Sequence, residues 1–140
     1  MSTEPDAPKC RLRILILDDE PIVCKRLKPA FQKMGYDVET FTNSASALER
    51  LREKDFHIVI TDLKMEGVDG MQILAAAQEA YSDTHVIIIT GFATLETAKE
   101  SYRKGAFDFI AKPFKLSDIL DCVKRIEKGR CSRQELDVKL

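Results

Sequence analysis

Acids, a hydroxyl and an amine occupy one recurring position in this chain, each directly after a short run of branched apolar residues. Arg13-Ile-Leu-Ile-Leu17 is followed by Asp18-Asp19-Glu20, His57-Ile-Val-Ile-Thr61 by Asp62, His85-Val-Ile-Ile-Ile89 by Thr90, and Phe107-Asp-Phe-Ile-Ala111 by Lys112-Pro113. Brought together, Asp18, Asp19 and Asp62 would repel and raise one another's pKa, with Lys112 alone to offset them. A divalent cation resolves that repulsion. Mg2+ prefers oxygen ligands, keeps several waters and is held by one or two carboxylates plus a phosphate, with Mn2+ as the alternative ion. Three aspartates, one lysine and one such cation carry no net charge, so the site would be ready for an anion. Phosphoryl transfer asks a protein mainly for in-line positioning and charge neutralisation. Asp62 is the expected nucleophile, because it stands alone after its run while Asp18 and Asp19 form a pair suited to the metal. Lys112 and Thr90 are the expected partners of the phosphoryl oxygens. Gly67 and Gly70 let the segment after Asp62 turn tightly beside the site.

These residues meet only if the runs are strands of one sheet. Short β-branched runs read as buried parallel strands, and in open α/β sheets ligands lie outside the carboxyl ends of such strands. The intervening segments have helical spacing. Ile22, Val23, Leu27, Ala30, Phe31 and Met34 line one face of a first helix that opens at Pro21 and stops at Gly35. Pro29 inside it removes a backbone donor and predicts a kink. A strand over Val38 to Phe41 follows, then a helix capped by Ser44 that carries Ala47, Leu48 and Leu51. Met71, Ile73, Leu74, Ala77 and Tyr81 mark a third helix, residues 94–104 a fourth ending at Gly105, and Ile119, Leu120, Val123 and Ile126 a fifth ending near Gly129. Five strands alternating with five helices imply a three-layer, doubly wound α/β domain with a parallel sheet covered on both faces. The reading divides the chain into an arm over 1–10, the domain over 11–129 and a polar tail or linker start over 130–140.

Composition narrows the functional classes. The 140 residues suit one domain, and 22 basic against 23 acidic side chains leave a formal charge of -1. That balance supplies no field for gripping nucleic acid directly. No apolar stretch reaches the roughly 18 residues of a membrane span, and the start lacks a basic and then apolar leader, so no membrane association and a cytoplasmic location are expected. Cys10, Cys24, Cys122 and Cys131 show neither C-x-x-C pairing nor a zinc pattern and read as reduced thiols, two of them packed on helices.

Plainer readings stand beside the sharp ones. Asp18 and Asp62 taken singly are ordinary helix or loop caps. His57 and His85 begin strands at the far end from the site and read as rim residues. Tyr102 and Phe114 read as core by default, with partner contact as the other possibility. Glu49-Arg-Leu-Arg-Glu-Lys54 reads as a solvated helix face with i,i+4 pairs.

From about Leu12 to Lys128 the chain resembles the receiver domains of two-component response regulators. The fragments that carry the resemblance are Asp18-Asp19-Glu20-Pro21, Asp62-Leu-Lys-Met-Glu-Gly-Val-Asp-Gly70, Thr90-Gly91, Lys104-Gly-Ala-Phe-Asp-Phe109 and Lys112-Pro113-Phe114. The resemblance implies a flavodoxin-like sheet of order 2-1-3-4-5. It implies that Asp62 accepts a phosphoryl group from a sensor histidine kinase or a phosphotransfer protein. Mg2+ would be bound by Asp19, Asp62 and the backbone carbonyl of Lys64, with Asp18 acting through a metal-bound water. Thr90 and Phe109 would form the switch, Phe109 standing where a tyrosine is often found. Lys64 and Phe92 would guard the site's mouth, and the Lys112-Pro113 bond would be cis. The output would be altered binding of a downstream protein target or effector domain at the fourth helix, fifth strand and fifth helix, by a monomer or a phosphorylation-dependent dimer. The segments around Thr90 and Lys112 look most like receivers of enhancer-dependent transcription activators. Such a protein is a phosphoacceptor that assists its own phosphorylation and dephosphorylation rather than an enzyme. Two alternatives remain open at this point: an aspartyl-phosphate hydrolase of the haloacid dehalogenase type, whose D-x-D-x-T is not matched by Asp18-Asp-Glu-Pro-Ile22, and a flavin-binding flavodoxin-like module, whose phosphate Asp18, Asp19 and Glu20 would repel.

Overall fold

The computed structural model describes residues 11–65 and 67–139, the last nine by their backbone alone. The elements alternate as β1 (Arg13–Leu17), α1 (Pro21–Lys33), β2 (Asp37–Phe41), α2 (Ser44–Glu53), β3 (Ile58–Asp62), α3 (Gly70–Ala80), β4 (His85–Thr90), α4 (Leu95–Arg103), β5 (Asp108–Ala111) and α5 (Leu116–Lys139). All five strands are parallel, in the order β2-β1-β3-β4-β5, which is the expected flavodoxin-like arrangement.

Strand alternation decides which helix lies on which face. Ile14, Ile16, Ile58, Ile60, Ile87 and Ile89 point to a core shared with Leu27 and Phe31 of α1 and Ile119, Val123 and Ile126 of α5. Leu15, Leu17, Val59, Val86 and Ile88 point the other way, to Ala47 and Leu51 of α2 and Ile73, Leu74 and Ala77 of α3. Full burial of each such side chain contributes about 1.5–3 kcal/mol, so the central strands are the rigid part of the molecule. Helix α4 is different: Ser101 is its one buried residue.

Three local expectations change. Helix α2 is capped by Asn43, whose side chain accepts from the Ser46 N–H, while Ser44 is its first turn and its hydroxyl accepts the Val68 N–H at 3.3 Å. Helix α1 spans Pro29, which lies on the exposed face, where water can take the carbonyl that loses its partner. Helix α5 does not end near Gly129 but runs to Lys139. Glycine within a helix costs only about 1 kcal/mol, and Gly129 does not adopt the left-handed conformation that closes α1 at Gly35 and α4 at Gly105. Arg130, assigned above to the tail, is buried and donates to the Asp83 carbonyl at 2.9 Å. The charge run of α2 forms no i,i+4 pair; Arg50 grips Glu39 of edge strand β2 through two bonds of 2.8 and 3.0 Å, and Lys54 adds a third at 3.1 Å. Among the described residues no helix is long and apolar enough to cross a membrane. Cys24 and Cys122 are free thiols packed on α1 and α5, whereas Cys10 and the Cys131 side chain, like the arm over 1–10, lie outside what is described.

Candidate functional site

The register aligns the strand ends. Leu17 pairs with Thr61, Asp62 with Ile89, and Thr90 with Ala111, so Asp18, Asp62, Thr90 and Lys112 follow one another along the carboxyl edge of the sheet. Gly70 lets the start of α3 approach this edge, since a Cβ there would lie 2.5 Å from the Asp62 carbonyl oxygen. The Lys112-Pro113 bond is cis, as the resemblance implies.

Lys112 is the hub. Its Nζ lies 2.8 Å from Asp18 Oδ2, 2.7 Å from Glu20 Oε1 and 3.0 Å from Asp62 Oδ2. Desolvation pulls the ammonium pKa down, but the bonds to Asp18, Glu20 and Asp62 outweigh it and hold the group above its ordinary value. Asp18 is wholly buried, and that burial pushes its carboxyl above the usual range despite Lys112 and the Glu20 N–H, which donates to Oδ1 at 2.9 Å. Its Oδ2 has the ion pair with Lys112 but no well-aligned hydrogen bond. Carboxylate oxygens of Asp18, Glu20 and Asp62 lie within 4.8 Å of one another. Hard oxygen donors at that spacing, one of them buried without an aligned donor, fit a divalent cation.

Of the expected acids, the structure brings Asp18 and Asp62 into this cluster and leaves Asp19 exposed beside it, on the wall of a cavity of about 610 Å3. Glu20 takes the third place. In the sequence Glu20 is only a neighbour of the Asp18-Asp19 pair, and its acidity at the same strand end is the one signal for it. Arg26 also lines the cavity, with its guanidinium 5.2 Å from the centre of the Phe114 ring; nothing in sequence relates two residues so far apart.

Thr90 is buried, and its Oγ1 accepts the Phe92 N–H at 2.9 Å, while its carbonyl accepts the Lys112 N–H at 2.8 Å. Phe92 is 63% exposed at the cavity rim, and Lys64 lines the same wall, its N–H 3.4 Å from Asp62 Oδ1. Phe109 is half-buried against the α2–α3 side of the core. Asp108, beside it, accepts from the Phe109 N–H, the Tyr102 hydroxyl and Arg125, tying α4, β5 and α5 together. Tyr102 therefore sits half in solvent at this junction, while Phe114 is core. His57 and His85 lie at the opposite end, half-buried, where His57 Nδ1 accepts the Arg13 N–H and His85 packs edge-on against Phe107.

A doubly wound parallel sheet whose carboxyl edge gathers acids around one lysine, beside an open cavity, defines an α/β module with a candidate divalent-cation site. The family model of the response regulator receiver domain matches residues 14–124, and the chain belongs to that family. The regulatory protein AtoC of Escherichia coli (strain K12) is 34% identical over 124 residues, which cover 89% of this chain and 27% of that protein. The chain thus spans about a quarter of the length of AtoC and of the NtrX-like regulators it matches. The response regulator receiver protein CpdR of Brucella abortus (strain 2308) is 34% identical over 114 residues, 81% of this chain and 95% of that one. Among solved structures, a CheY-like receiver domain from Methanospirillum hungatei JF-1 superposes with a TM-score of 0.82 at 27% identity, covering 88% of this chain and 98% of the other. The chain is a two-component signalling module, and the hydrolase and flavin readings fall away.

Proposed function

We propose that Asp62 accepts a phosphoryl group from a sensor histidine kinase or a phosphotransfer protein, in the cytoplasm and with Mg2+ or Mn2+ present. The observation that carries this reading is the bridge of Lys112 between buried Asp18 and Asp62 at the carboxyl edge of a receiver fold. An Asp62 carboxylate oxygen bonds to phosphorus as the bond from phosphorus to the donor breaks, and the electron pair leaves with the donor. Lys112 neutralises one phosphoryl oxygen, and the Thr90 hydroxyl, whose oxygen already accepts from Phe92, donates its proton to another. Asp19, Asp62 and the Lys64 carbonyl would hold the cation, with Asp18 behind them; bound there, it screens the gathering negative charge. Hydrolysis later returns Asp62 to its free form, with Lys64 and Phe92 limiting the approach of water.

The bond from Thr90 O to the Lys112 N–H, and the Asp108 junction next to Phe109, support a route from the phosphoryl group through Thr90 and Phe109 to the surface of α4, β5 and α5. That surface would engage a downstream target or effector domain, alone or as a phosphorylation-dependent dimer. The receiver unit runs from residue 11 to just past Arg130. Incubation with acetyl phosphate and Mg2+ is expected to add one phosphoryl group by intact mass, and Asp62→Ala is expected to add none. Uptake retained by Asp62→Ala would overturn the assignment.

A further inference from the structure

The Lys112 ammonium donates to Glu20 and Asp62 and holds Asp18 as an ion pair at 2.8 Å, so three carboxylates crowd it within 3.0 Å. A phosphoryl oxygen that reaches this crowded ammonium must displace one of these carboxylates from it. Asp62 is the acceptor, and Asp18 is fully buried, where loss of the ammonium would leave a charge without compensation. The Glu20 side chain is 59% exposed, so water can take over its solvation. Glu20 is also the residue immediately before α1, yet its side chain makes no capping bond there and turns to Lys112 instead. The positive end of the α1 dipole offers the displaced carboxylate a second resting place.

Charge points the same way. With Glu20 included, three carboxylates lie within 3.0 Å of one ammonium, so Glu20 adds a negative charge at the amine that the phosphoryl group must reach. We propose that Glu20 is a resident anion on Lys112 which the incoming phosphoryl group displaces, making it a positioning residue that sets how readily this receiver is phosphorylated. The proposal rests on the reading of Asp62 as phosphoacceptor.

The test uses the whole chain with saturating Mg2+ and beryllofluoride, an unreactive stand-in for the phosphoryl group, followed by calorimetry and amide chemical shifts. Glu20→Gln keeps the shape and removes the charge, and because the side chain is exposed the fold is expected to persist. With Mg2+ saturating for each chain, beryllofluoride is expected to bind Glu20→Gln about tenfold more tightly than the parent chain. In a Lys112→Met background the same change is expected to alter beryllofluoride affinity less than twofold, because the competitor acts only through that amine. Equal or weaker beryllofluoride binding by Glu20→Gln overturns the proposal, as does tightening that persists without Lys112. A tenfold loss of Mg2+ affinity overturns it too, since Glu20 would then be a ligand of the cation. Beryllofluoride binding retained by Asp62→Ala would instead overturn the phosphoacceptor reading along with it.

Discussion

The two ends of the sheet both set polar side chains against a buried core, and they satisfy them by opposite means. At the amino end the partners are main chain: His57 Nδ1 accepts the Arg13 N–H at 2.9 Å, Arg13 Nε donates to the Asp55 carbonyl at 2.7 Å, and Thr84 Oγ1 donates to the Phe56 carbonyl at 2.7 Å. Arg130 bonds the Asp83 carbonyl at 2.9 Å and adds only a long ion pair of 3.9 Å to the Asp83 carboxylate. Backbone partners neither titrate nor swing away, so this end is fixed. At the carboxyl end three side-chain carboxylates share one side-chain amine beside an open cavity. Those partners can exchange. A polar cluster is a candidate switch when its partners are themselves mobile and charged, and a structural feature when they belong to the backbone.

Charge excess separates the two ends further. Burial first, then the charges of Arg13 and Arg130, lower the His57 pKa to about 4, so the folded protein holds this imidazole neutral. Burial raises the Asp18 pKa, so the folded protein resists its ionisation. The signs of the pH dependence are therefore opposite. The unfolded chain takes up a proton at His57 before the folded chain does, and stability falls as pH drops from about 6.5 to about 4. The unfolded chain releases the Asp18 proton first, and that contribution to stability is lost as pH rises from 3.8 through the raised folded value.

The largest effect expected from breaking this contrast is at Lys112. Lys112→Met leaves Asp18 and Asp62 buried without their counter-charge, at a cost of about 3 kcal/mol in metal-free buffer. Excess Mg2+ is expected to recover most of it in a chemical melt. A loss that Mg2+ does not touch would mean that the carboxyl end is held like the amino end.

His57→Ala comes next. It strips the Arg13 N–H of its acceptor in a half-buried site, costing about 1–3 kcal/mol at neutral pH. It is also expected to abolish the stability loss between about pH 6.5 and about pH 4, and to leave acetyl phosphate uptake unchanged. An unaltered acid profile in melts of the variant would remove His57 from the account. Asp18→Asn should act oppositely: it retains an oxygen for the Glu20 N–H, removes the desolvated charge, and is expected to raise metal-free stability by about 1 kcal/mol at pH 7. A destabilised Asp18→Asn would mean that its pairing with Lys112 outweighs its burial.

How much of each end was legible in sequence follows from the same difference. Asp18, Asp62, Thr90 and Lys112 were readable because a strand end is marked by where an apolar run stops, and parallel register brings such marks together. The strand order came through resemblance, since alternation alone fixes which face a residue takes and not which strand it neighbours. Glu20 is hard to read from sequence because whether Asp19 or Glu20 reaches Lys112 depends on how the chain enters α1 at Pro21. Arg130 reads as tail in sequence because Gly129 marks a helix end only if it turns left-handed, and nothing local dictates that. The His57 bond to the Arg13 N–H joins residues from different strands and leaves no trace in either segment.

The smallest effect concerns access to the carboxyl end. Phe92 is 63% exposed, and its backbone N–H already serves Thr90 Oγ1, so Phe92→Ala removes the ring from the rim without breaking that bond. The cavity that Phe92 and Lys64 line opens onto Asp62 and offers water a route to a phosphoryl group there. A ring at the mouth slows that entry by excluding positions for the attacking water, while the groups that neutralise the phosphoryl oxygens stay in place. Phosphate release from the loaded protein is therefore expected to quicken roughly threefold, equivalent to about 0.7 kcal/mol of barrier. The comparison between ends supplies the control: His57→Ala, far from the mouth, is expected to leave release unchanged. Release that is unchanged or slower in Phe92→Ala would mean that water enters by another wall. The lifetime of the signal would then be set by Lys112 and its carboxylates alone.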